Sequence, residues 1–493
     1  MTAQKSFRNA LKWSFAGIWG ERGLVAVFTV ILAALLGPRE FGLLTIAWIF
    51  VNFIQMFLDQ GLSAALIQKQ DLQQEDLDAV FWMDLGLSLV LIAFSVLLSH
   101  WWAAVNHAPK VSALISVLSL CIPIEALAVV QKAVLSRSMD FKSLSIRNTI
   151  AVLVGGITGT AMAAAKFGVW SLVGQQVVKD IVALALLWRL SSWRPRWRFS
   201  WPHLRSLMGF SLSNFAAQLG IFADTQTGSV LAGILFGPVP VGLYRLADRI
   251  MNSVVAACTS SIQVVSLPEF SRLQDDPAKL RESALLCIRL SSTITLPALA
   301  GIAAVSDSLM ATLGPSWIPA ADALKVLCML GMVIIFAYFT GPLLQALAKP
   351  HFLAGLEWAR TMVGICFLLV AGMAVRHSSV HSQVMALAIA RIIPGALIVT
   401  PTFLFILMRL TRMSVRGIVD AILPSAASSF CVVVAILIVQ SIHFLSTVGP
   451  PLLLTTETIA GLMAGLPVLV ILDARLRRLF QLRFKRPPVS SLP

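Results

Sequence analysis

The chain has 493 residues, of which 58% are hydrophobic and 12% are charged, and its mean hydropathy is +0.85. Soluble domains carry about 45–50% apolar and about 25% charged residues, so this composition excludes a soluble enzyme, a disordered scaffold and a nucleic-acid-binding protein. The net charge of +15 fits cytoplasmic loops that meet anionic lipid headgroups. The six cysteines stand singly, without the paired spacing of a zinc site or a disulfide framework.

Long apolar segments follow one another along the chain, each close to the ~20 residues that a helix needs to cross the hydrocarbon. They lack the alternation of barrel strands, so the predicted fold class is an all-α integral membrane protein. The first segment is too long for a cleaved signal peptide, and we expect it to be retained. The sequence predicts about fourteen transmembrane helices, over residues 11–36, 42–66, 78–103, 112–134, 148–166, 169–190, 207–236, 239–266, 284–309, 322–347, 352–375, 382–408, 418–445 and 451–472.

Basic residues are distributed unevenly among the connections between these helices. With the N-terminus placed in the cytoplasm, most Lys and Arg outside the helices fall in the two tails and the even-numbered connections. The positive-inside rule therefore predicts a multi-pass protein with both termini in the cytoplasm. The opposite side is left with few basic residues: Arg39, Lys110, Lys166, Lys325 and Arg376.

The connection at 190–206 interleaves Trp193, Trp197 and Trp201 with arginines. Such a mixture could bind RNA, but beside a membrane it favours anchoring to lipid headgroups. His377 and His381 have i, i+4 spacing but no third ligand, so we expect no metal site. The sequence contains no phosphate-binding P-loop motif and no evident nucleophile–base set, so we predict neither nucleotide hydrolysis nor another catalytic site.

An internal repeat is the most informative pattern in the sequence. LAALLGPREFGLLTIA at 32–47 matches LAGILFGPVPVGLYRLA at 231–247, without a gap from the Gly-Pro pair onward. Gly37-Pro38 thus falls on Gly237-Pro238. In both copies the pair lies between two predicted helices, where proline cannot continue the first one.

The repeat predicts two parallel six-helix lobes, followed by two additional helices. Parallel repeats packed around a central cavity are a common architecture for alternating access. The expected boundaries are 1–195 for the N-lobe, 200–410 for the C-lobe, 411–472 for the additional helices and 473–493 for a basic cytoplasmic tail.

Charged residues within the predicted helices are the candidate functional residues. A charge inside a bilayer costs several kcal/mol and normally faces a cavity or a partner. Structural pairing between helices is an alternative for Glu21 with Arg22, for Lys179 with Asp180, and for Asp224. The candidates for substrate binding are Arg22, Lys179, Arg245, Arg249, Arg360 and Arg391; the candidate coupling or pairing carboxylates are Glu21, Asp180, Asp224 and Asp248.

Spacing distinguishes one group among these charges. Arg245, Asp248 and Arg249 stand at i, i+3 and i+4, so they share a helix face, and Asp248 can neutralise one arginine. Arg391 has no acid near it on its own helix. The surplus of guanidinium groups favours an anionic ligand, and a diphosphate accepts bidentate hydrogen bonds well.

Several stretches together resemble a known family. They are LGPREFGLL at 36–44, LDQGLSAALIQKQDL at 58–72, SRSMDFKSLSIR at 136–147, VGLYRLADRI at 241–250 and LPEFSRLQDDPAKL at 267–280, with LGPSW at 313–317 extending the similarity. The chain is similar to the Wzx-type bacterial polysaccharide flippases of the multidrug/oligosaccharidyl-lipid/polysaccharide exporter superfamily. Within that family it most resembles the branch linked to exopolysaccharide and lipopolysaccharide export.

The resemblance implies two six-helix lobes around a central, often cationic cavity, in the bacterial inner membrane. It implies a transporter that moves undecaprenyl-diphosphate-linked oligosaccharide repeat units between the leaflets by alternating access. It also implies coupling to an H⁺ or Na⁺ gradient without a bound cofactor, and partners among polysaccharide polymerase and export proteins. A cavity role for Arg245 and Arg249 rests on the GLYRLADR stretch.

Other functions stay open at the level of sequence. A multidrug antiporter of the same superfamily would usually have twelve helices and acidic cavity residues that suit cationic drugs. An exporter of the peptidoglycan lipid precursor belongs to a branch that this sequence resembles less. A membrane polysaccharide polymerase or ligase would carry a large external loop, which the predicted connections lack.

Overall fold

The computed structural model describes residues 20–59, 62, 66, 72–138, 140–198, 200–201, 219, 222–223, 225–274, 276–334, 343–344, 350–411, 413–442 and 449–472. All regular secondary structure in these residues is helical, which confirms the all-α prediction. Asp224, the predicted basic tail at 473–493 and residues 199 and 202–206 of the predicted connection at 190–206 lie outside the described residues.

The chain divides into two compact units. The first comprises Met1–Arg245 with Gly372–Gln383, and the second Leu246–Ala371 with Val384–Pro493. The lobe boundaries at 195 and 410 stay a prediction.

The described helices of the first unit are α1 (20–35), α2 (Pro38–Asp59), α3 (Gln74–Val105), α4 (Lys110–Leu118), α5 (Cys121–Arg137), α6 (Phe141–Ala164), α7 (Val169–Leu190) and α8 (Thr225–Phe236). Helix α9 (Pro238–Arg272) begins in the first unit and continues into the second. It is followed by α10 (Pro277–Ala304), α11 (Ser306–Leu313), a 3₁₀ turn (Pro315–Ala320), α12 (Ala321–Val333), α13 (Pro350–Ala374), α14 (Val380–Pro394), a π-helical turn (Gly395–Val399), α15 (Thr400–Thr411), α16 (Val415–Ser441) and α17 (Pro450–Leu472).

Ten stretches of the described chain are long and apolar enough to cross a membrane, so the protein is a multi-pass membrane protein. They are Pro38–Leu58, Gln74–Val105, Lys110–Arg137, Lys142–Ala164, Val169–Leu190, Pro277–Ala304, Pro315–Val333, Val380–Arg409, Val415–Ser441 and Pro450–Ile471. Thr225–Phe236 and Trp358–Ala374 are shorter apolar helices. The total of fourteen stays a prediction.

The two copies of the sequence repeat adopt the same local structure and pack against each other. Pro38 and Pro238 are each the first residue of a helix, the position where a missing N–H costs nothing. A Cβ atom on Gly42 would overlap the carbonyl oxygen of Pro238, and one on Gly242 would overlap that of Pro38. Glycine at both places therefore permits a reciprocal backbone contact between α2 and α9.

Helices α6 and α7 form a closely packed hairpin that positions polar side chains of the first unit. A Cβ on Gly155 would lie 2.7 Å from the carbonyl oxygen of Gln175, so the α6 backbone approaches α7 at that point. The side chain of Asp140 caps α6 by accepting a hydrogen bond from the Ser143 backbone N–H at 3.1 Å. Helix α6 therefore begins at Phe141, seven residues before the predicted span, and includes Arg147.

The segment after α7 folds back onto the protein. Trp193 is 7% exposed and packs in a cluster with Phe81 and Val130. Arg194 donates hydrogen bonds to the carbonyl oxygens of Trp188, Ser191 and Trp193 at 2.6–2.7 Å, and so caps the end of α7. The expectation of lipid anchoring is therefore wrong for Trp193, because its side chain is buried within the chain. For the exposed Arg194 it stays a prediction.

Trp197 and Trp201 are exposed, and their anchoring to lipid stays a prediction. Trp197 is 89% exposed and stacks on Trp82 with ring centroids 4.4 Å apart, and Trp201 is also exposed. The indole N–H of Trp82 donates to the Arg196 carbonyl oxygen at 2.7 Å, which holds this aromatic pair in place.

Candidate functional site

A polar cavity of about 260 Å³ lies within the first unit, among helices that are otherwise apolar. Helices α1, α2, α5, α6 and α7 contribute its lining. A polar chamber inside a membrane bundle has a high energetic cost unless it serves a ligand or an ion pathway. The lining residues are Glu21, Trp48, Gln55, Glu125, Lys132, Arg147, Asn148, Ala151, Val152, Gln176, Lys179, Asp180 and Ala183.

The charges that line the cavity balance formally. Lys132, Arg147 and Lys179 supply positive charge, and three carboxylates supply negative charge. Lys132 Nζ lies 2.5 Å from Glu125 Oε1, so these residues on α5 form a direct ion pair two helical turns apart. The cavity is therefore a charged environment of both signs rather than one surrounded by guanidinium groups alone.

Amide side chains connect the charges of α7. Lys179 Nζ lies 3.4 Å from Asp180 Oδ1 and donates to Gln176 Oε1 at 3.0 Å. The amide nitrogen of Gln176 in turn donates to Asp180 Oδ2 at 2.9 Å. In this network, the ammonium group of Lys179 and the carboxylate of Asp180 find their partners on the cavity wall. Neither side chain therefore has to reach lipid.

Arg147 contributes the guanidinium group of the cavity. Its residue is only 8% exposed, and its Nε donates to the Ala183 carbonyl oxygen on α7 at 3.0 Å. The neighbouring Asn148 donates through Nδ2 to Glu21 Oε2 at 3.0 Å, which links α6 to α1. A guanidinium fork held in this way suits an anionic oxygen ligand better than a lysine does.

Only some of the predicted site residues of the first unit line the cavity. Glu21, Lys179 and Asp180 line the cavity as a set. Arg22 is exposed and is not among the lining residues. Arg245, the last residue of the first unit's main segment, is partly buried and also does not line this cavity.

The predicted residues of the second unit form a separate arrangement. Arg391 Nε on α14 lies 3.5 Å from Asp248 Oδ1 on α9, and Asp248 is 6% exposed. Asn252 donates to the same Asp248 carboxylate at 2.9 Å. Arg249 is exposed and Arg360 partly buried. The ion pair joins α9 to α14. The spacing of charges along α9 alone could not indicate this partner.

Six polar lining residues of the cavity were missed as site residues by sequence reasoning: Gln55, Glu125, Lys132, Arg147, Asn148 and Gln176. Arg147 and Lys132 lie close to the ends of their helices, where basic residues usually meet lipid headgroups. The available indication for Arg147 is its place at the end of the SRSMDFKSLSIR stretch that carries the family resemblance.

The fold and the cavity define the class of this protein: an α-helical, multi-pass membrane protein with a charged chamber inside one of its helical units. Residues 31–322, more than half of the chain, match the family described as "Polysaccharide biosynthesis protein". The chain belongs to that family.

The chain is also similar to proteins of known names. The chain is 27% identical over 326 residues to the succinoglycan biosynthesis transport protein ExoT of Rhizobium meliloti, covering 66% of each protein. It is 24% identical over 379 residues to the lipopolysaccharide biosynthesis protein WzxC of Escherichia coli, covering 76% of each.

The fold is similar to that of the lipid II flippase MurJ in an inward closed conformation. The TM-score is 0.73 at 12% identity, over 95% of this chain and 99% of that one. An inward-facing multidrug transporter of the MATE family gives a TM-score of 0.62 at 16% identity, over 80% of this chain and 96% of that one. These similarities confirm the fold class predicted from the sequence.

Proposed function

We propose that the protein is a flippase that moves undecaprenyl-diphosphate-linked oligosaccharide repeat units from the cytoplasmic to the outer leaflet of the bacterial inner membrane. It acts as a transporter rather than an enzyme, in exopolysaccharide or lipopolysaccharide synthesis. The observation that carries this proposal is the set of three cations, Arg147, Lys132 and Lys179, that lines a cavity within membrane-spanning helices; Arg147 is buried, and the two lysines are partly buried. The family match favours this function over drug export or polymerisation.

The cavity suits a ligand that is polar at one end and lipidic at the other. The polyprenyl tail stays in the bilayer, while the diphosphate and sugars enter the chamber. Arg147 offers a bidentate fork to a phosphate, and the two lysines add positive charge beside it. The amide groups of Asn148 and Gln176 supply hydrogen bonds suited to sugar hydroxyls.

The carboxylates limit how tightly the ligand binds. Glu125 and Asp180 already neutralise Lys132 and Lys179, so a diphosphate competes with them for the ammonium groups. Moderate affinity allows release after the cavity opens to the other side. The H⁺ or Na⁺ gradient drives the cycle, both termini lie in the cytoplasm, and the product passes to polymerase and export partners.

A cellular experiment tests this function. Deleting the gene should leave undecaprenyl-linked repeat units that are inaccessible to a membrane-impermeant sugar-oxidising reagent applied to spheroplasts. The wild-type gene should restore accessibility and polymer output, whereas Arg147→Ala should not, at equal protein level. Arg189→Ala, which removes an exposed arginine at the end of α7, is the matched control. Normal labelling in the deletion strain would contradict the proposal.

A further inference from the structure

One large aromatic side chain lines the cavity of the first unit and takes no part in its ion pairs. Trp48 on α2 is partly buried, and it is the only aromatic residue among the described lining residues. The rest of the apolar lining consists of Ala151, Val152 and Ala183, which are small and buried. The indole ring is therefore the one extended apolar surface that the described lining offers to a ligand.

Trp48 lacks the internal contacts that hold other tryptophans of this protein. Trp82, Trp102 and Trp188 each donate an indole N–H to a backbone carbonyl oxygen, at 2.7–3.1 Å. Within the part of the chain that the structure describes, the indole of Trp48 makes no such hydrogen bond and no contact with another aromatic ring. Tryptophan N–H groups inside proteins usually find a partner. A ligand in the cavity can supply that partner.

The fold does not require an aromatic ring at this position. The sequence repeat aligns 37–47 with 237–247 without a gap, so the next residue, Trp48, falls on Asp248. Helix α9 keeps both the Gly-Pro start and the reciprocal glycine contact with a carboxylate at the equivalent position. Helix packing in the repeat therefore does not account for Trp48.

The end of α2, the end of α5 and the start of α6 lie on the same side of the membrane. A connection of three residues joins α5 to α6. Arg137, at the end of α5, donates to the carbonyl oxygen of Leu66, in the connection that follows α2, at 3.3 Å. The positive-inside rule assigns this side to the cytoplasm. Depth in the cavity can therefore be measured along each helix from these ends.

Trp48 lies deeper in the membrane than two of the cations of the cavity. Arg147 is six residues into α6, about 9 Å from its start, and Lys132 is five residues before the end of α5, about 8 Å from it. Trp48 is eleven residues before the end of α2, a distance of roughly 16 Å. Asp180 is ten residues before the end of α7, at a similar depth of roughly 15 Å. The cavity thus has a cationic part near the cytoplasm and an aromatic, hydrogen-bonding part farther in.

We propose that Trp48, Gln176 and Asp180 form a subsite for one pyranose ring of the carried oligosaccharide. The C–H face of a pyranose carries partial positive charge and packs against the negative face of an indole ring. Gln176 donates to Asp180 at 2.9 Å, and amide and carboxylate groups held in this way suit sugar hydroxyls, which both donate and accept. The diphosphate stays at Arg147 and Lys132. The inference rests on the proposed function and deepens it by naming the side chain that recognises the sugar.

Ligand binding by the purified full-length protein in detergent tests the subsite. Calorimetry compares two probes, undecaprenyl diphosphate linked to one glucose and undecaprenyl diphosphate alone. The variants are Trp48→Phe, which keeps an aromatic face, and Trp48→Leu, which keeps an apolar side chain without one. Trp170→Leu, which removes an exposed tryptophan of α7 outside the cavity lining, is the matched control.

The wild type and Trp170→Leu should bind the glucose-bearing lipid about tenfold more tightly than the bare lipid, the size expected for one well-packed aromatic contact. Trp48→Phe should keep most of this preference. Trp48→Leu should lose it without a change in affinity for the bare lipid.

Other outcomes separate the subsite from the proposed function. An unchanged preference in Trp48→Leu would overturn the subsite, and so would an equal loss of affinity for both lipids, because that loss indicates a structural role. Equal binding of the two lipids by the wild type would overturn the subsite alone. Binding of neither lipid by the wild type would contradict the proposed function as well.

Fluorine NMR covers the case in which Trp48→Leu fails to fold. The wild type is labelled with fluorotryptophan, and the resonance of Trp48 is identified by its absence from Trp48→Phe. The glucose-bearing lipid should shift this resonance, and the bare lipid should leave it in place. A Trp48 resonance that responds equally to both lipids, or to neither, would contradict the proposal.

Discussion

The reciprocal contact between the two Gly-Pro repeats leads to a sharp prediction about Gly42 and Gly242. Adding a methyl group to either glycine places Cβ onto a backbone carbonyl of the other repeat, Pro238 or Pro38. A backbone carbonyl cannot rotate out of the way as a side chain can. Helices α2 and α9 must therefore separate at this point.

The expected magnitude follows from two opposing effects. Inserting a methyl group into a packed contact typically costs about 1–3 kcal/mol. Alanine gains roughly 1 kcal/mol over glycine in a helix. Because the overlap is with backbone, we expect the cost to lie near the upper end of that range, about 3 kcal/mol, which leaves a net loss of roughly 2 kcal/mol for Gly42→Ala and a similar loss for Gly242→Ala.

The controls are glycines at which a methyl group would meet nothing. A Cβ on Gly86 in α3 or on Gly228 in α8 would have no neighbour within 4 Å. Alanine at these positions should leave the unfolding midpoint unchanged or raise it slightly. The assay is thermal unfolding of the purified protein in detergent, together with polymer output in a complemented deletion strain. Equal midpoints for Gly42→Ala and Gly86→Ala would show that the repeats do not pack as described.

Three further predictions concern side chains. Trp193→Ala should cost about 3–5 kcal/mol of unfolding free energy, because it leaves a void in a buried cluster. Trp197→Ala should change the unfolding midpoint little, and equal losses of the two variants in thermal unfolding would refute the fold-back of this segment. Glu125→Gln should tighten binding of a diphosphate, measured by calorimetry on the purified protein, because it frees the facing ammonium group; weaker binding would contradict the assigned competition. Asp248→Asn should lower stability by about 1–3 kcal/mol, because it removes the negative charge that faces Arg391; an unchanged unfolding midpoint would count against that ion pair.

Composition and hydropathy were enough to predict the fold class and the general positions of the helices. A long, continuously apolar segment has few soluble alternatives, and the Gly-Pro repeat marks two equivalent helix starts that the structure contains at Pro38 and Pro238. The helix starts were harder to predict where caps decide them. Asp140 starts α6 at Phe141, which brings Arg147 into the helix from a predicted connection.

The candidate site could be predicted only in part because transmembrane helices are apolar on most faces. Spacing shows which charges share a face of one helix, as for Arg245 and Asp248, but not which neighbour that face meets. Glu21, Lys179 and Asp180 line the cavity of the first unit, whereas Arg22 beside Glu21 does not, and the roles predicted for them stay a prediction. The pairing of Asp248 with Arg391 joins residues 143 positions apart in the sequence, and only tertiary packing determines it.

In the proposed function, the cavity of the first unit is the place where the diphosphate is carried. The most direct test is a flipping assay in proteoliposomes, with undecaprenyl-diphosphate-linked oligosaccharide and an enzyme outside the vesicles that modifies exposed sugars. The wild type and Arg189→Ala should make the lipid of the inner leaflet accessible, and Arg147→Ala should slow this at least tenfold at equal reconstitution. Flipping by Arg147→Ala at the wild-type rate would contradict the central claim.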